Sequence, residues 1–119
     1  MSLDGELLLL SGWLDFIKAL GLVCDRMPKK VRFTLSRRVY DLALDVSERI
    51  VDAKYSQVKR SDLQDINRSI TKIRILLRIA RESQFIASKD FFSLNEKIHA
   101  CGKMLGGWQR WIEDNAEQI

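Results

Sequence analysis

With 119 residues, 46% of them apolar, the chain can bury one core and has little left for a second, so a single domain over residues 1–119 is expected. One proline and few turn-prone clusters argue against an all-β fold. The net charge of +4 permits an anionic partner without requiring one. No membrane partner is expected, since Asp15 and Lys18 interrupt the apolar opening and the acidic Asp4-Gly5-Glu6 is the wrong flank for a signal peptide.

Met1-Ser2-Leu3 is set apart as an expression-vector scar. Between residues 5 and 26, Leu10, Trp13, Leu14, Ile17, Leu20 and Cys24 recur at the three-and-four spacing of one helical face. Pro28 ends that helix by pushing its predecessor out of the helical region. Thr34 or a neighbour is the expected cap of a second helix, striped by Leu35, Val39, Leu42, Val46, Ile50 and Ala53 and stopping near Tyr55-Ser56. After the brief QVKR, Ser61 with Gln64 resembles a capping box and opens a third helix. Its stripe is Leu63, Ile66, Ile70, Ile73, Leu77 and Ala80. A fourth helix begins at Ser88 or Asp90 and carries Phe91, Leu94, Ile98, Cys101, Leu105, Trp108 and Ile112. Four amphipathic helices with short joints predict an all-α, antiparallel up-down four-helix bundle.

The fourth helix contains an anomaly. Gly102, Gly106 and Gly107 interrupt GKMLGGWQRW, although each glycine inside a helix costs roughly 1 kcal/mol against alanine. Asn95, His99, Gly102 and Gly106 share one row beside the apolar stripe, so small residues there would let another backbone approach. Alternatively, Gly106-Gly107 forms a left-handed cap at the helix end. Spacing leaves both readings open. Trp111 and Tyr40 are read first as packing or interface residues, and the remaining aromatic side chains fall mostly on core stripes, which argues against a stacking platform.

Charge is unevenly spread. Residues 26–40 hold Arg26, Lys29, Lys30, Arg32, Arg37 and Arg38 with no acid. On the third helix, Arg74, Arg78 and Arg81 form a row at steps of four and three. Acids gather at Asp41, Asp45, Glu48 and Asp52, and again at Glu113, Asp114 and Glu117. An arginine row suits phosphates or an acidic protein surface, and it equally suits an ordinary solvated helix face. The two readings stand side by side at this point.

No catalytic set, metal site or cofactor is expected. His99 has no nucleophile or carboxylate partner by motif, and Glu96-x-x-His99 occurs once where di-metal bundles need two such pairs. Cys24 and Cys101 lie in apolar stripes without metal-ligand spacing, as reduced core thiols of a cytoplasmic protein do.

Met27-Pro28-Lys29, Arg32-Phe33-Thr34-Leu35, the segment IRILLRIARES and above all GKMLGGW resemble the accessory variability determinant proteins of diversity-generating retroelements, over nearly the whole chain. A related group, encoded in intervening sequences of ribosomal RNA genes, shares much of the pattern. The resemblance implies a four-helix bundle that assembles into a homopentameric basic ring. It also implies binding of RNA or DNA without sequence preference and association with the element's reverse transcriptase during mutagenic retrohoming. On that reading Lys29, Lys30, Arg32, Arg37, Arg38, Arg74, Arg78 and Arg81 face nucleic acid or the transcriptase. Gly102, Gly106, Gly107, Trp108 and Trp111 then serve an oligomer or close helix contact. The alternative is a bundle of the intervening-sequence type, with protein contacts and no nucleic-acid role.

Overall fold

The computed structural model describes residues 3–115, so Met1, Ser2 and Glu117 lie outside the described residues. Four helices, α1 (Leu3–Arg26), α2 (Arg37–Tyr55), α3 (Lys59–Glu82) and α4 (Ser88–Asp114), form an antiparallel bundle of about 51 × 23 × 19 Å. Each packs against its neighbours in chain order, and α4 closes the square against α1. The expected architecture is therefore the observed one.

The stripes of α3 and α4 are buried as expected, with only Phe91 half-buried. In α1 the buried side chains are instead Leu9, Trp13, Phe16, Ile17, Leu20 and Val23, with Met27 buried just beyond its end, while Leu14 is exposed and Leu10 and Cys24 are half-buried. Trp13 helps fix this rotation: its indole Nε1 donates to the Ala43 carbonyl of α2 at 2.8 Å, satisfying the one polar atom of a fully buried side chain. Ala43 correspondingly occupies the core of α2, where Leu42 is only half-buried.

The expected side-chain caps are not the ones that form. After Pro28 the chain makes a 3₁₀ turn (Lys29–Val31) and then a wide π turn (Arg32–Ser36) that runs directly into α2. Ser36, already helical, precedes α2 without a side-chain cap, and Thr34 Oγ1 donates back to the Val31 carbonyl. Ser61 lies inside α3, which begins two residues earlier. The α2–α3 joint is held by Lys59, whose Nζ donates to the last-turn carbonyls of Ala53 and Lys54 at 2.9 and 2.7 Å. α3 ends in a Schellman arrangement, with Phe85 N–H donating to Ala80 O and Gln84 N–H to Arg81 O. Gln84 takes the left-handed conformation there, φ 62°, where glycine is usual.

α1 is long and apolar enough to cross a membrane by length and composition. Here it packs as a bundle helix, with Trp13, Phe16 and Leu20 in the core.

Candidate functional site

The antiparallel topology gathers the two cationic segments toward one end of the bundle. The α1–α2 connection, carrying Lys29, Lys30 and Arg32, lies at the same end as the α3–α4 connection, because α1 and α3 both run toward it. Two contacts record this proximity: Lys30 Nζ sits 5.4 Å from the centre of the Phe85 ring, and Arg26 pairs with Asp90 at 3.0 Å. Lys29, Lys30, Arg32, Arg37 and Arg38 are all exposed, and Arg37 pairs loosely with Asp41 at 3.7 Å.

The arginine row of α3 starts at this end with Arg81 and continues along the helix to Arg74. It borders the groove between α3 and α4, where Arg74 faces His99, Gly102 and Lys103 of α4, and Asn95 and Gly106 continue that row by their spacing on the helix. Arg74 reaches across, its Nη2 lying 3.3 Å from where a Cβ on Gly102 would sit. Arg81 stacks against Phe91 and Phe92, with its guanidinium carbon 4.9 and 4.7 Å from the two ring centres. Arg78, between them on the row, donates from Nε to Glu82 at 3.0 Å in an exposed pair of little energetic weight. Among the described residues Arg74 and Arg81 form no ion pair. Between these walls lies a cavity of about 300 Å³ lined by Asn67, Thr71, Arg74, His99, Gly102 and Lys103.

The glycine question is settled in part. α4 continues through Gly102, Gly106 and Gly107 to Asp114, and no glycine among the described residues has positive φ, so the cap reading is set aside. A Cβ placed on Gly106 would meet nothing within 4 Å. No close packing inside this chain therefore compensates for that glycine. Trp108, expected at an oligomer or close helix contact, is buried in the chain's own core, whereas Trp111 is partly exposed. Tyr40 packs over Gly21, its ring 3.4 Å from a Cβ built there.

Neither cysteine is poised for chemistry. Burial, reinforced by Asp15, pushes the Cys101 thiol up to about 11. Burial also raises Cys24, partly offset by its contact with Ser36.

The family model for bAvd-like proteins matches residues 7–112. The chain belongs to that family. No curated protein matches it. In this bAvd-like chain the match spans all four helices, including GKMLGGW and the arginine row.

Two exposed phenylalanines beside the cations of this bAvd-like chain are not among the site residues expected from the sequence. Phe92 is 52% exposed beside Arg81, and Phe33 is 77% exposed among the cations of the π turn. The adjacent pair Phe91-Phe92 was the available signal, because two neighbouring helical residues cannot both point into one core.

Proposed function

We propose that this bAvd-like chain is a non-enzymatic accessory protein of a diversity-generating retroelement. In this reading it assembles in the cytoplasm into a homo-oligomeric, pentameric ring with a basic surface, binds RNA or DNA without sequence preference, and associates with the reverse transcriptase. The observation that carries the proposal is the family match over residues 7–112. Two features support it. Lys29, Lys30, Arg32, Arg37, Arg38, Arg74, Arg78 and Arg81 offer exposed cations that a ring would multiply into one polyvalent field. The exposed Leu7, Leu8, Leu14 and Leu22 of α1 give apolar area for contact between copies.

The test combines light scattering for mass, co-purification with the reverse transcriptase, and titration with mixed-sequence RNA and DNA at two salt concentrations. The expected result is an oligomer whose binding weakens steeply with salt. A monomer indifferent to polyanions in dilute buffer overturns it. An oligomer that ignores both nucleic acid and transcriptase favours the purely structural bundle.

A further inference from the structure

We infer that the α3–α4 groove is the seat of a single polynucleotide strand, held by its phosphates along Arg74, Arg78 and Arg81 and by base stacking at Phe92. This rests on the nucleic-acid binding proposed above and adds to it the form of the ligand and its place on the chain.

Three independent features converge on the groove. The first is a recess between the two helices. A cavity of about 300 Å³ opens at Arg74 and Gly102, with room for a phosphate and its sugar. The second is the chemistry of its walls. From Arg74 to Arg81 the row spans about 10 Å of helix, the length of roughly three nucleotides in a stacked strand. Lys103 and His99 face it from α4, and Asn67 and Thr71 add neutral hydrogen-bonding groups. The acid nearest the row is Glu82, already engaged by Arg78 in an exposed pair that a phosphate can displace. At the end of the row, Arg81 holds its guanidinium against Phe91 and Phe92, whose rings meet edge to face at 5.5 Å. The half-exposed Phe92 therefore offers a base an aromatic surface beside a cation.

The third feature is the glycines. Gly106, one turn from Gly102 on the same row, forgoes a side chain although a Cβ there meets no atom of the chain within 4 Å. Helix propensity argues for replacing it, and packing within the chain gives no reason to keep it. A strand that continues past Arg74 along this row supplies the reason, because a side chain at Gly106 would stand in its path.

Fluorescence anisotropy with labelled twelve-nucleotide probes tests the inference on the full chain. The probes are oligo-dT, oligo-U, an abasic strand of equal charge and a blunt duplex. Wild type is expected to bind both pyrimidine strands at least tenfold tighter than the duplex at equal salt. Gly106→Leu should weaken oligo-dT binding about tenfold while leaving the mass unchanged and the melting temperature equal or higher. Phe92→Leu should weaken oligo-dT several-fold and leave the abasic strand unaffected, which separates stacking from charge. Equal affinity for strand and duplex, with Gly106→Leu harmless, overturns the groove assignment while leaving polyanion binding intact. A Gly106→Leu protein of altered mass also overturns it, by making the glycine face a contact between copies. Absence of binding to every probe at low salt sinks the underlying function as well.

Discussion

α1 and α3 are each 24 residues long and stand diagonally across the bundle, yet their solvent-facing sides differ in kind. α1 exposes Leu7, Leu8, Leu14 and Leu22, with Asp15 and Lys18 among them. α3 exposes Arg68, Lys72, Arg74, Arg78 and Arg81, with Ile75 and Ile79 as its apolar residues. Both helices contribute equally well-buried inner faces. The difference therefore lies in what each offers to another molecule: α1 a surface that gains by leaving water, α3 a surface that gains by meeting negative charge.

The comparison can be broken most forcefully from inside. Trp13→Ala empties a fully buried site and leaves the Ala43 carbonyl without its indole donor, so urea unfolding should show a loss of about 3–5 kcal/mol. Substituting Arg74, Arg78 and Arg81 together by glutamine should keep stability within about 1 kcal/mol, because these side chains are exposed. The same triple variant should weaken binding to mixed-sequence RNA by one to two orders of magnitude at moderate salt. Its plot of log affinity against log salt should be shallower by about two, for three phosphate contacts at roughly 0.7 each on a single strand. An unchanged slope would remove α3 from the interface.

The inner side of α1 can be sharpened through Cys101, which faces Gly12 and feels Asp15. Its thiol titrates at about 11 in the folded chain against an ordinary 9.0. Because the folded value is the higher one, the stabilisation of the neutral thiol is complete below pH 9 and is lost as pH rises through about 11. Urea midpoints of wild type should fall more steeply over that window than those of Cys101→Ala. At the end of α3, Gln84→Gly relieves a left-handed side chain and should add about 1 kcal/mol, read as a higher melting temperature. The smallest effect on stability is expected on the outer face of α1. Leu14→Gln with Leu22→Gln should change unfolding by no more than about 0.5 kcal/mol per site, while lowering the mass seen by light scattering. If mass is unchanged, the exposed leucines of α1 are not what joins the copies.

The same two helices show how far the sequence could be read. α3 has a narrow apolar stripe bordered by charges, so its rotation is written in the order of its residues, and all six expected core positions are buried. α1 is apolar on most sides from Leu7 to Leu10 and again from Leu20 to Val23, so many rotations bury comparable area. The hydrogen bond from Trp13 to another helix, which no local pattern contains, helps to select among them together with the packing of Leu9, Phe16 and Leu20. The caps failed for a related reason. Ser61 satisfies a motif that Lys59 made unnecessary by reaching back to α2, and the turn at Gln84 carries no glycine to announce it. The arginine row and the glycine row were each visible by spacing. That Arg74 meets Gly102 and His99 across one groove depends on α3 and α4 being neighbours, and this becomes visible only in three dimensions.

The π turn at Arg32–Ser36 carries one residue more than an α-helical turn would hold, with the Arg37 N–H reaching back to the Arg32 carbonyl. Lys29, Lys30 and Arg32 are held outward by the residues that anchor this connection: Met27 is buried, Val31 and Leu35 pack against the core, and the buried Ser36 donates from its hydroxyl to the Cys24 carbonyl of α1 at 3.5 Å. Losing one residue from this turn would therefore disturb the seam between α1 and α2 as well as the direction of the cations, so their aim and the closure of the bundle are set together.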